Sequence, residues 1–222
     1  MNVLQKNKYS INDFISVVHR LRAPGGCPWD MEQTHKSIRR DFLEECYEAI
    51  EAIDCEDPAM LREELGDVLL QVVFHCIIEE EENRFTFDDV VNDITEKMIV
   101  RHPHVFADTK VGGVDDVLTN WDSIKKETKG QKSDKEMLQS VSKAMPALMR
   151  NQKVQKKAGK LGVVLSASPK DELIAMLQEK DNFTMEEVGK LEALLVAVAA
   201  KSGADAEEAL SKETDSFIES NF

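Results

Sequence analysis

Apolar residues recur at helical spacing along most of this chain. Ile11, Phe14, Ile15, Val18 and Leu21 share one face behind Ser10, which reads as an N-cap, and Pro24-Gly25-Gly26 ends the run. The loop Ala23 to Met31 then carries Cys27-Pro28-Trp29-Asp30, where Trp29 reads first as a packing anchor. A second helix is expected after Ser37, with Phe42, Cys46, Ala49, Ile50 and Ile53 as its apolar face. The turn Cys55 to Pro58 separates it from a third, running from about Ala59 to Glu82. Thr86, with Asp89 three residues on, caps a fourth through Ile94 and Met98, which His102-Pro103 ends. Val117, Trp121 and Ile124 mark a fifth, finishing in a basic turn of Lys125, Lys126 and Lys129.

Gly130 to Lys135 is polar and reads as a linker. Pro146 opens a helix that stops near Gly159. Ser168-Pro169 starts the next as N-cap and first helical residue, Thr184 and Glu187 form a capping box for another, and Gly203 precedes a last helix through Leu210 and Phe217. No alternating run of strand length occurs, so the expected class is all-α.

Composition agrees with helix: only 10 glycines and 6 prolines occur, with 9 methionines and few aromatics. The 222 residues suffice for one sizeable core or two small ones. A net charge of −14 argues against broad nucleic-acid binding. A phosphorylated small molecule would need bound cations or a local basic cluster. Cys27, Cys46, Cys55 and Cys76 form no C-x-x-C pair, which argues against a zinc cluster and fits reduced thiols in the cytoplasm. Met1 to Tyr9 lacks an apolar signal core, and the longest apolar patch, Val68 to Ile78, is broken by Gln71 and His75, so no membrane span is expected.

The chemistry concentrates in carboxylates. Glu44, Glu45, Glu48 and Glu51 lie on the second helix, with spacings that put Glu45 and Glu44 each on one face with Glu48, expected opposite the Phe42/Cys46/Ile50 stripe. Alone this is an ordinary solvated acidic face. The third helix changes the reading, because its apolar residues surround nearly its whole circumference and leave one narrow seam: Glu64, Asp67, Gln71 and His75. Carboxylates on the seam of a buried helix need compensation, and no lysine or arginine shares the seam. The preceding helix, joined by a short turn, would bring Glu45 and Glu48 against Glu64 and Asp67. Four negative charges this close would protonate or repel unless a hard divalent cation joined them, and an all-oxygen set suits Mg²⁺, with Mn²⁺ also possible. The bland alternative is a salt-bridge network with distant lysines. Such a cation clamps phosphate oxygens and activates water. Glu44 is a spare carboxylate that could position that water or accept its proton. No G-x-x-x-x-G-K-[ST] loop is present, and His102-Pro103-His104 is a weak metal signal, better suited to packing or phosphate contact.

Glu45-x-x-Glu48 followed after fifteen residues by Glu64-x-x-Asp67 resembles the ExxE…ExxD signature of the all-α nucleoside triphosphate pyrophosphatases. Gly26-Cys27-Pro28-Trp29-Asp30, Leu43 to Glu48, Glu63 to Asp67, Arg101 to Phe106, Trp121-x-x-Ile124-Lys125 and Pro146 to Arg150 narrow the resemblance to the MazG family. Together these motifs cover residues about 10 to 160. The resemblance implies Mg²⁺-dependent hydrolysis of nucleoside triphosphates to monophosphate and pyrophosphate, a nucleotide-pool house-cleaning role, a helical bundle and a homodimer. It implies metal ligation by Glu45, Glu48, Glu64 and Asp67, and contacts to the nucleotide or its phosphates from Lys97, Arg101, Trp121 and Lys125. Read from the residues alone, Lys97 and Arg101 share a helical face fit for a phosphate clamp. Trp121 suits core packing nearly as well as base stacking, and Lys125 is an ordinary helix-end lysine.

The second half looks like a shortened, degenerate second copy. Glu186 to Lys190 lines up with Glu63 to Asp67, putting Lys190 at the aspartate position, and Asp171 to Ala175 lines up with Glu44 to Glu48, putting Ala175 where the last glutamate belongs. The expected organisation is a catalytic MazG-like helical domain over 1–130, a linker and connecting helix over 131–160, and a degenerate helical domain over 161–222. Two rivals to the hydrolase remain: a narrower pyrophosphatase for deoxyuridine or phosphoribosyl nucleotides, and a non-catalytic helical module that binds nucleotide or a regulatory partner.

Overall fold

The computed structural model describes residues 6–114, 116–117, 120–121, 124 and 133–222. Among them are eleven helices and no strand. The chain divides into two units, Met1–Ile124 and Lys125–Phe222.

In the first unit, α1 (Ile11–Arg22) starts on a complete Ser10–Asp13 capping box and buries Val18. Its exit is sterically specified. A Cβ on Gly26 would lie 2.2 Å from the Leu21 carbonyl oxygen, and Gly25 has φ of 76°. Only glycine lets the loop fold back so closely. The loop expected between Ala23 and Met31 contains a short helix, α2 (Pro28–Glu32), with proline at its first turn. Arg22 pins this segment. Its guanidinium donates to the Asp30 and Gln33 carbonyls, grips Glu81 with two bonds, and lies over the Phe74 ring.

Helices α3 (Arg39–Asp54) and α4 (Pro58–Glu81) form a helical hairpin and share the most extensive packing of any helix pair in the structure. Asp57 caps α4 by accepting from the Ala59 and Met60 amides, with Pro58 first in the helix. The inward stripe of α3 differs from the expected one. Ala49 and Ala52 are buried with Phe42 beside them, whereas Ile50 and Ile53 are more than half exposed. Alanine is the residue that lets two helix backbones approach. Glu45, three residues after Phe42 and four before buried Ala49, therefore stands on the inward stripe and not opposite it. Burial of α4 is also uneven. Gln71, Val73, Phe74, Cys76, Ile77 and Ile78 are buried, but Leu65 and Leu69 in its first half are exposed. The core joins Val73, Phe74, Ile77 and Ile78 to Val18 and Ile38, with Phe14, Ile15, Leu70 and Phe87 against them. Next come α5 (Phe87–Arg101), opened by a Thr86–Asp89 capping box, and α6 (Pro103–Phe106).

The second unit holds α7 (Asp134–Gln139), α8 (Ala147–Gly159), α9 (Pro169–Glu179), α10 (Met185–Lys201) and α11 (Ala206–Asn221). Residues 134–135, read above as linker, open α7 behind a Ser133–Glu136 capping box. Helix α8 packs on α10 and α11, with Gln152 bonded to both the Ala204 carbonyl and the Ala206 amide. Helix α8, in the segment expected as a connector, makes these contacts within the second unit. Leu194 and Val196 of α10 are almost fully buried there. No described helix is long and apolar enough to cross a membrane.

Candidate metal and nucleotide site

Three of the expected carboxylates meet across the α3–α4 hairpin. One oxygen from each of Glu45, Glu48 and Glu64 lies within 4.8 Å of the other two. Glu48 shares hydrogen bonds with both Glu45 and Glu64. Burial, then the charges of Asp67, Glu48 and Glu64, pushes the Glu45 carboxyl above its usual range. Burial, then Glu48, Asp67 and Glu63, does the same to Glu64. Asp67 is thus close enough to act on both. Among the described residues no lysine or arginine forms an ion pair with any of the four, so the salt-bridge alternative finds no support. Crowded carboxylates with no ion-paired base are the donor chemistry a hard divalent cation satisfies.

The other expected site residues are placed differently. Glu44, next to Glu45 in sequence, is exposed and accepts from Arg40 at 2.9 Å. Lys97 is exposed on α5. Arg101 is half-buried, its guanidinium 5.8 Å from the centre of the Trp121 ring, and His102 meets the same indole edge-on at 4.9 Å. Among the described residues, Trp121 thus has a guanidinium near its face and an imidazole set edge-on to it. His102 also bonds the Met98 carbonyl, which closes α5. Lys125 lies outside the described residues. Trp29 is 60% exposed, so it anchors no core. Two residues on the seam, Gln71 and His75, gave no functional signal beyond their position: Gln71 is buried with its Oε1 unpartnered, and His75 bonds His35, which in turn bonds Glu79.

The second unit shows what the charge-inverted position does. Lys190 Nζ on α10 lies 3.0 Å from Glu172 Oε1 on α9. The bond from Lys190, and a second from Ser166, hold the Glu172 carboxyl below its usual range. Glu187 is occupied elsewhere, as the capping-box partner of Thr184 and in a bond from Lys180. An ammonium satisfies this carboxylate, and no cluster of acids remains for a metal among the described residues of this unit.

Comparison with known proteins agrees with the motifs. The MazG nucleotide pyrophosphohydrolase domain matches residues 33–106, which contain α3 to α6 and all four carboxylates. The nucleoside triphosphate pyrophosphohydrolase/pyrophosphatase MazG of Thermotoga maritima is 38% identical over 93% of this chain and 82% of its own length. The nucleoside triphosphate pyrophosphohydrolase of Escherichia coli K12 is 45% identical over 68% of this chain and 58% of its own length. An uncharacterized protein of Bacillus subtilis, YabN, is 52% identical over 67% of this chain, which spans only 30% of that longer protein. With the acidic hairpin of α3 and α4 matched at its centre, and a relative aligned along nearly its whole length, the chain belongs to the MazG family of nucleoside triphosphate pyrophosphohydrolases.

Proposed function

We propose that the first unit hydrolyses nucleoside triphosphates to nucleoside monophosphate and pyrophosphate, as a nucleotide-pool house-cleaning enzyme. The observation that carries this reading is the Glu45–Glu48–Glu64 cluster, with the charge of Asp67 acting on it and no lysine or arginine paired to it among the described residues. Glu45, Glu48, Glu64 and Asp67 would hold Mg²⁺, or Mn²⁺ in its place. Bound there, the cation would neutralise phosphate oxygens and lower the pKa of a coordinated water. Lys97 and Arg101 offer positive charge to the phosphates from one face of α5. Trp121 offers a ring to the base, and Lys125 a further cation. Glu44 lies beside the cluster, and release from Arg40 would free it to orient water or take its proton.

The second unit has no such site in its described residues, and its Lys190–Glu172 pair supports a structural role. A homodimer is part of the proposal. Leu43, Tyr47, Ile50 and Ile53 on α3 and Leu65 and Leu69 on α4 are between 38% and 57% exposed, a concentration of apolar side chains that a second copy would cover. Net charge of −14 disfavours nucleic acid as partner, and four free cysteines suit a reducing cytoplasm. The test is product analysis of the full chain with a panel of triphosphates and Mg²⁺. Pyrophosphate is the expected product. Orthophosphate alone, or no product from any nucleotide, defeats the reading.

A further inference from the structure

The second unit carries two exposed surfaces of opposite sign. Residues 137–170 contain seven lysines and arginines and no aspartate or glutamate, against a net charge of −14 for the whole chain. Four of those bases, Arg150, Lys153, Lys156 and Lys157, lie on α8. With Lys160 they fall within about 120° of the helix circumference. The rest of α8 is taken up by its own unit. Gln155 bonds the Ala193 carbonyl of α10, and Gln152 bonds Ala204 and Ala206 at the start of α11. Lys157, at one edge of the arc, is tied to the Met137 carbonyl of α7. Lys153 and Lys156 are exposed, and among the described residues neither they nor Arg150 form an ion pair. Met149, on the same arc, is 39% exposed. Val163, Val164 and Leu165, just past the helix end, are 50% to 66% exposed.

Helix α11 is the complement. Its first turn is fixed to α8, where Glu207 accepts from the Met149 amide and Ala206 is buried. Over residues 208–221 every side chain is exposed, so about 21 Å of helix runs on without burying one of them. A helix of that length is marginal in water unless an apolar face is covered. Leu210, Phe217 and Ile218 form such a face at i, i+7 and i+8, and are 51% to 60% exposed. Glu213, four before Phe217, flanks it on one side, and Asp215, three before Ile218, on the other. Among the described residues neither acid forms an ion pair, although Glu208 pairs with Lys212 within the helix. In all, α11 holds five acids and one lysine.

We propose that α11 of one copy docks on the basic arc of α8 in a second copy, by a twofold exchange in which each copy gives its α11 and offers its α8. The stems of Lys153 and Lys156 cover Leu210, Phe217 and Ile218, while their ammonium groups meet Glu213 and Asp215. The lengths agree, since residues 150–160 span about 15 Å and the exposed apolar residues 163–165 follow. Charge selects this occupant. Two α11 helices side by side would set acid against acid. Within one copy, α11 is a single helix from its Asp205 cap to Asn221, so it cannot turn back onto α8. Exposed ion pairs and three apolar side chains hold weakly. The contact therefore forms at higher concentration than the one through α3 and α4. It joins second units, and stands whether or not the first unit hydrolyses nucleotides.

The test removes the α3–α4 contact from the full chain with Leu43→Lys and Leu65→Lys, and follows sedimentation equilibrium in low salt at on the order of 100 µM. Dimers are expected. Lys153→Glu with Lys156→Glu, or Glu213→Lys with Asp215→Lys, should each raise the dissociation constant about tenfold or more. An equimolar mixture of these two variants should regain the original association, because each copy then offers the charge that the other lacks. Monomers before any charge reversal, an unchanged constant, or no recovery on mixing overturns the proposal. So does tighter association when the acids of α11 become lysines, the result that pairing of α11 with itself would give. A second arm does not depend on those variants folding. A benzophenone amino acid in place of Phe217, in the otherwise wild-type chain, is illuminated in a mixture of nitrogen-15-labelled and unlabelled copies. Cross-links from α11 of one copy to residues 149–165 of the other are expected. Cross-links only to the other α11, to a different surface or within one copy overturn the exchange.

Discussion

At the scale of residues, the acidic cluster works against the stability of the metal-free fold. The folded chain holds protons on Glu45 and Glu64 more tightly than an unfolded chain, whose glutamates titrate at the ordinary value of 4.5. Their contribution is therefore most favourable below that value and is lost as pH rises through the raised folded-state pKa. A divalent cation should reverse this at neutral pH, since it binds the folded state alone. Glu48→Gln and Asp67→Asn are expected to cut pyrophosphate release by about a hundredfold or more. In metal-free buffer both should raise the midpoint of thermal unfolding above that of the wild type, and both should abolish the further rise that Mg²⁺ gives the wild type. Calorimetry with and without Mg²⁺ reads both effects. A variant that loses activity yet keeps the full Mg²⁺ shift would place the cation elsewhere.

At the scale of elements, helix starts were legible because caps are local. Ser10, Thr86 and Thr184 each bond an amide three residues on, and each third residue returns the bond. Glu187 makes this testable. Bonds from Lys180 and from the Thr184 backbone and hydroxyl hold its pKa down at about 2, against the ordinary 4.5. Its stabilising effect is present above 4.5 and lost as pH falls toward 2. Glu187→Gln should therefore unfold at lower temperature than the wild type at neutral pH, with the gap closing across that acid window. A gap independent of pH would mean the carboxylate's charge does not matter. What escaped sequence reading was orientation around each helix. The apolar arc of α3 is wide enough to include both Ala49 and Ile50, and periodicity ranks the larger side chain as core. Packing chose the alanines, because α4 can bring Glu64 and Asp67 to Glu45 only across small residues.

For the molecule as a whole, two consequences follow from what each unit leaves open. The exposed leucines and isoleucines of α3 and α4 fit an interface between copies. Leu65→Lys combined with Leu43→Lys should shift the protein from dimer to monomer in sedimentation velocity at micromolar concentration. A wild type that sediments as a monomer there removes the homodimer from the proposal. In the second unit, Lys190→Met should leave pyrophosphate release within about twofold of the wild type and the thermal unfolding midpoint little changed, because the pair with Glu172 is exposed. A large loss of activity would give this unit a catalytic part that its geometry does not suggest.

Sequence alone determined the longer helices, several of their caps, and the acidic seam of α4, because each depends on residues within a turn or two of one another. It also marked Glu45, Glu48, Glu64 and Asp67 through their spacing. Only tertiary structure decided which apolar residues face inward, how Arg101 and His102 enclose Trp121, and that Glu79 reaches His35 and through it His75. Those contacts join positions up to forty-four residues apart, and the free energy that selects among them comes from packing and burial, which no local pattern records.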